Sequence, residues 1–183
     1  MTTPVLDIKG LVVSLGKSKS ASGERIIDGV SLQVSERETL CLVGESGSGK
    51  SVTALTVMGL LQKNSLRPTG GSVKLVGEEL LTASDRRLRQ LRATTMAMIF
   101  QEPMTALNPV VPVGRQIDEV LRAHTDLDAR ARRARILAMM EQVRLPDIER
   151  IFASYPHRLS GGQRQRIMIA MALVLEPKLL IAD

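Results

Sequence analysis

From Leu6 to Leu15 the apolar side chains fall at positions 6, 8, 11 and 13, a loose alternation that predicts a half-buried strand. A Lys/Ser/Gly stretch from Gly16 to Gly23 interrupts it, and the strand pattern resumes over Ile26–Val34, so the two runs are expected to pair antiparallel. The apolar run Thr39–Val43 predicts a buried strand, and Ser51–Leu61 suits a helix. Gly70–Gly77 reads as a short strand between glycines, Asp85–Arg92 as a short basic helix N-capped near Ser84, and Met96–Phe100 as another strand. Two helical stretches occupy Val113–Val143 on either side of Thr125, which can cap the second. A further helix begins near Gly162 and runs to Leu175, and Leu179–Ala182 is an apolar strand ending at Asp183. The pattern is that of an α/β protein without internal repeats or a low-complexity linker.

Composition narrows the class. The 183 residues are 44% hydrophobic and 24% charged, ordinary for one globular domain. The opening decapeptide has no basic n-region followed by an apolar stretch, so no signal peptide is expected. The longest apolar run, Ile167–Leu175, falls far short of the roughly 20 residues of a membrane-spanning helix. Cys41 is the one cysteine and lies in the expected Thr39–Val43 strand, where it reads as core filling. These features point to a cytosolic compartment. The net charge of +6 gathers partly in Asp128–Arg135, where Ala and Arg mingle as on a solvated helical face. With one Tyr, two Phe and no Trp, little is available to stack on bases, and nucleic acid is not an expected partner.

The candidate chemistry is concentrated in Gly44, Glu45, Ser46, Gly47, Ser48, Gly49, Lys50 and Ser51, which match the phosphate-loop pattern G-x-x-x-x-G-K-[ST]. An apolar run before it and a helix after it make the context of an anion site. Glycines allow backbone N–H groups to turn toward phosphate oxygens, and the helix dipole adds favourable potential. Lys50 would reach the β/γ-phosphates and the Ser51 hydroxyl would ligate Mg²⁺. Asp183, closing an apolar strand, is the acid expected to hold Mg²⁺ beside such a loop.

Leu159, Ser160, Gly161, Gly162 and Gln163, followed by Arg164 and Arg166 on an apolar helix, resemble the signature of ATP-binding-cassette (ABC) ATPases. Phosphate loop, Gln101 as Q-loop, signature and Asp183 as Walker-B acid occur in that family's order. The segments Met98–Pro109 and Tyr155–Leu173 are similar to the oligopeptide/dipeptide/nickel importer branch.

The resemblance implies a P-loop ATPase core with an N-terminal antiparallel β subdomain, covering about 1–100 and 177–183. The Q-loop, helical subdomain and signature helix would occupy about 101–176. It implies ATP and Mg²⁺ as cofactors and a signature acting in trans on ATP held by a second ABC ATPase subunit, identical or paralogous. Gln101 would contact Mg²⁺ or the attacking water. Residues Gln101–Pro109 would meet the transmembrane permease, and a periplasmic or extracellular solute-binding protein would take part indirectly. The location implied is peripheral, on the cytoplasmic face of the inner or plasma membrane.

Against the family pattern, no carboxylate base follows Asp183 and no switch histidine lies downstream; His124 and His157 precede Walker B. Leu15 stands where an adenine-stacking aromatic is usual. A strand from beyond Walker B, which the family places between the phosphate-loop and Walker-B strands, is also missing. These departures imply a truncated cassette with the C-terminal part of the sheet absent, weak as an ATPase on its own. The alternatives are a nucleotide-binding fragment without turnover and a non-transport ABC ATPase; the short stretch between Gln101 and Leu159 leaves no room for a long coiled coil.

Overall fold

A computed structural model describes residues 4–16, 24–62, 64–100 and 107–183. The loop expected over Gly16–Gly23 therefore lies outside the described residues beyond Gly16. The chain divides into two compact units, Met1–Arg92 and Ala93–Asp183.

The first unit is built on a four-stranded antiparallel sheet in the order β2-β1-β3-β4, from β1 (Leu6–Leu15), β2 (Arg25–Val34), β3 (Leu66–Leu75) and β4 (Glu78–Glu79). Leu6, Ile8, Leu11 and Val13 of β1 are buried. Their alternation is loose because the register shifts between Ile8 and Leu11, where Gly10 adopts a left-handed φ of 55° and adds a residue to the strand. Opposite it, β3 carries Gly71 at φ 87°. The strand expected over Gly70–Gly77 thus starts earlier, at Leu66, because β1 supplies partners along that whole length.

The β3–β4 hairpin is closed by a carboxylate. Glu79 accepts hydrogen bonds from the Val73 N–H (3.1 Å), the Leu81 N–H (3.1 Å) and the Ser72 hydroxyl (2.5 Å). Burial pushes the Glu79 carboxyl up, but these donors and nearby Lys74 outweigh it and hold the group below its ordinary value. A depressed folded pKa contributes stability that is complete above the unfolded value. It begins to drain as pH falls below the ordinary 4.5 and is gone below the folded pKa. Glu79→Ala strands the amide of fully buried Val73 and is expected to cost about 2 kcal/mol at neutral pH. Glu79→Gln keeps an acceptor there and is expected to flatten the acid limb of the stability profile. Thermal melts between pH 3 and pH 7 check both; an unchanged acid limb in Glu79→Gln would show that Glu79 does not carry it.

Two helices complete this unit: α1 (Lys50–Met58) and α2 (Asp85–Thr94). The Ser84 hydroxyl accepts from the Arg87 N–H at 3.2 Å, the expected N-cap. The strand expected over Thr39–Val43 is not formed. No strand among the described residues pairs with this segment, so it lacks a ladder, and its apolar side chains stay outside: Val43 is 94% exposed. Cys41 is accordingly exposed and not core filling.

The second unit contains β5 (Met96–Ile99), α3 (Val113–His124), α4 (Ala129–Gln142), α5 (Ile148–Phe152), α6 (Gly161–Leu173) and β6 (Leu179–Ala182). β5 and β6 pair in parallel, Met96 with Leu179 through Ile99 with Ala182. The helices bury Ile117, Leu121, Ile136, Met140, Ile151 and Ile167 in one cluster. The short helix α5, unexpected from periodicity, contributes Ile151, and its Phe152 ring packs where a Cβ on Gly114 would fall at 2.4 Å.

Thr125 does not cap α4. Its hydroxyl turns back to donate to the Leu121 carbonyl at 2.7 Å and closes α3, while Asp128 caps α4 by accepting from the Ala131 N–H at 2.7 Å. The arginines of α4 are also not a purely solvated face. Arg132 pairs with Asp118 at 2.6 Å with only 15% of its side chain exposed, Arg133 pairs with Glu149 and lies over the Phe152 ring, and Arg135 donates to the Val174 carbonyl.

Candidate functional site

The phosphate loop is presented at the N-terminus of α1. Gly47 and Gly49 hold left-handed φ values of 85° and 91°, which the tight turn into the helix requires. Gly49 rests against β2: a Cβ there would lie 3.3 Å from the Ile26 carbonyl oxygen and 3.3 Å from Ile27 Cγ1. A Cβ on Gly44 would come within 2.7 Å of Ser48 Oγ, a side-chain hydroxyl that would have to rotate away. The N-cap residue Gly49 has no capping side chain. The helix ladder starts at the Thr53 N–H, which donates to the Gly49 carbonyl at 2.8 Å, and buried Thr53 repeats the contact through its hydroxyl at 3.0 Å. The first turn of any helix lies ahead of its hydrogen-bond ladder, which is the general condition for an anion site.

Lys50 is folded over this loop. Its Nζ donates to the Gly44 carbonyl at 2.7 Å, the Glu45 carbonyl at 2.8 Å and Ser48 Oγ at 3.4 Å. The ammonium is thereby stationed among loop oxygens beside the helix N-terminus. Ser51 follows on the first turn of α1.

The signature forms the N-terminus of α6 in the other unit. Ser160 is the N-cap: its hydroxyl accepts from the Gln163 N–H at 3.2 Å, and the Gln163 side chain accepts from the Ser160 N–H at 2.9 Å, a reciprocal capping box. Leu159 is buried in the helical cluster and anchors the turn. Gly161 and Gly162 are exposed, with open space where a side chain would stand. The helix thus begins at Gly161, one residue before the expected start.

Asp183 follows β6, and its N–H donates to the Ile99 carbonyl at 3.1 Å, continuing the parallel pairing. Gln101 belongs to residues 101–106, outside the described residues. Leu15, at the position compared with an adenine-stacking aromatic, is 41% exposed. Among the described residues no His/Cys/Asp/Glu cluster could hold a metal by itself, and no helix is long and apolar enough to cross a membrane.

In the first unit the phosphate-loop pattern leads into α1; in the second, Leu-Ser-Gly-Gly-Gln opens α6 and Asp183 follows the parallel strand β6. The chain belongs to the ABC transporter family, whose profile matches residues 27–183. It is 48% identical over 182 residues to a putative peptide import ATP-binding protein of Brucella abortus (strain 2308), covering 100% of this chain and 54% of that protein. It is 46% identical over 184 residues to the probable D,D-dipeptide transport ATP-binding protein DdpD of Escherichia coli (strain K12), covering 100% of this chain and 55% of that protein. The chain therefore spans about half the length of these relatives. Among solved structures, a dimeric post-hydrolysis ATP-binding cassette bound to ADP and Pi superposes with a TM-score of 0.80 at 26% identity, over 97% of this chain and 73% of that one.

Two features escaped the sequence reading: the Glu79 hairpin lock and Arg92, whose guanidinium reaches the far end of α1. Both join residues through folded geometry, and no spacing pattern announces either.

Proposed function

We propose that this chain is the nucleotide-binding part of an ATPase subunit that powers a membrane importer of peptides or a related solute. The observation that carries the reading is Lys50, held among loop oxygens at the uncapped N-terminus of α1. The peptide-import names of relatives near 48% identity support the cargo class.

The residues suit MgATP. Lys50 and the loop amides would bind the β- and γ-phosphates. The oxygen donors Ser51 and Asp183, with Gln101, would hold Mg²⁺, a hard cation that prefers oxygen ligands. The ion, when bound, neutralises phosphate charge. The open N-terminus of α6, with Ser160, Gly161 and Gly162 exposed, suits a γ-phosphate presented by a second subunit; its own Ser160–Gln163 capping box keeps that helix end formed without ligand. None of these groups is assigned as the general base; hydrolysis is proposed for the nucleotide-sandwich dimer, docked on the cytoplasmic face of the membrane through the segment around 101–109 and served indirectly by a solute-binding protein.

Calorimetric titration with MgATP, MgADP and AMP tests the site. Because the contacts go to β- and γ-phosphates, ATP and ADP are expected to bind at least about tenfold more tightly than AMP, one charge-assisted hydrogen bond's worth or more. Equal affinity for AMP would place the nucleotide elsewhere.

A further inference from the structure

The helix that presents the phosphate loop is held at its other end by a neighbour. α1 ends at Gly59, which adopts φ 62° and whose N–H donates to the Leu55 and Thr56 carbonyls, closing the last turn short of the Met58 carbonyl. Arg92, on the last turn of α2, donates through Nη1 to the Met58 carbonyl at 3.1 Å and the Gly59 carbonyl at 3.3 Å, in a partly buried setting. Beside it, Leu88 of α2 sits so near Gly59 that a Cβ there would fall 2.8 Å from Leu88 Cδ1. α2 is itself anchored: Arg87 makes a two-pronged pair with Glu78, at 2.7 Å from each guanidinium nitrogen, and Ser84 caps its start. The run β4–α2 is thus a fixed bracket on the C-terminal end of α1.

We infer that Arg92 is a positioning residue for nucleotide binding, acting through α1 on the phosphate loop. This rests on the assignment of Gly44–Ser51 as the nucleotide site. Two physical effects point the same way. A cation at a helix C-terminus offsets the negative end of the macrodipole and so stabilises that end of α1. The two hydrogen bonds also fix the axial position of a helix of nine residues, about 13 Å long, so the far-end amides keep their geometry when phosphate arrives. Arg92 touches neither the loop nor a nucleotide in this role.

The test is MgATP titration of the full chain carrying Arg92→Lys, Arg92→Gln, Arg89→Gln or Lys50→Ala, all well below each variant's melting transition, with hydrogen exchange followed over α1. A lysine keeps the charge on a shorter stem without the guanidinium's planar, fixed donor geometry, so Arg92→Lys is expected to weaken MgATP binding about threefold, and Arg92→Gln about tenfold. Amides of α1 should exchange faster in both. Arg89, exposed on the same helix, controls for net charge, and its Gln variant should bind as wild type. Wild-type affinity in Arg92→Lys, with Lys50→Ala binding lost, overturns the inference and leaves the site standing, even where Arg92→Gln does not fold. A lowered Tm with unchanged affinity also overturns it, since Arg92 would then serve stability alone. Unchanged affinity in Lys50→Ala instead removes the site assignment itself.

Discussion

Lys50→Ala is expected to weaken MgATP binding by about 100-fold or more while leaving the chain folded. The ammonium already donates to Gly44 and Glu45 carbonyls at 2.7 and 2.8 Å, so it needs no large movement to meet a phosphate oxygen. Charge-assisted hydrogen bonds of this kind contribute about 1.5–3 kcal/mol each, and about 2.7 kcal/mol corresponds to 100-fold in affinity. Folding should be little affected, because these bonds are exposed and the helix start rests on the Thr53 hydroxyl bond to the Gly49 carbonyl and on the contact of Gly49 with β2. The measurement is calorimetry beside a thermal melt. Wild-type affinity in a variant with an unchanged melt would mean that the loop does not hold the phosphates.

Gly71→Ala is expected to be the most damaging single methyl in the first unit, costing about 3 kcal/mol or more. Its Cβ would fall 2.4 Å from the Gly10 carbonyl oxygen and 2.6 Å from the Lys9 carbonyl oxygen, both backbone atoms that cannot rotate away. Its φ of 87° is also strained for any L side chain. Relief requires β1 and β3 to separate at the bulge, where the pairing passes from Lys9–Ser72 to Val12–Gly70. Gly77→Ala is the control, with φ 82° and nothing within 4 Å of the added methyl, and should cost about 1 kcal/mol for backbone conformation alone. Urea unfolding compares the two. A Gly71→Ala loss no greater than that of Gly77→Ala would show that the β1–β3 crossing yields easily.

The strength of this contrast could not be gauged from the chain alone. Gly71 and Gly77 flank the same apolar run and look alike in the sequence; only the approach of Gly10 from another strand separates them. Thr39–Val43 makes the same point in reverse. Its composition is that of a buried strand, but a strand needs a neighbour, and none among the described residues supplies one, so Val43 is exposed. Thr125 and Asp128 are both acceptable caps by type, and the choice fell to Asp128 once the Thr125 hydroxyl was engaged by Leu121.

What the sequence by itself determined is local. The phosphate loop and its helix, the Ser160–Gln163 helix start, the β1–β2 pair and the β5 and β6 strands follow from glycine placement, capping pairs and apolar period, which act within a few residues. Tertiary structure decided what depends on residues far apart in the chain: the bulge that lets Gly10 and Gly71 pass, the carboxylate of Glu79 standing in for a ladder acceptor, and the grip of Arg92 on a helix end some 33 positions earlier. Those contacts rest on packing and on satisfying buried backbone groups, and neither leaves a periodic trace in the sequence.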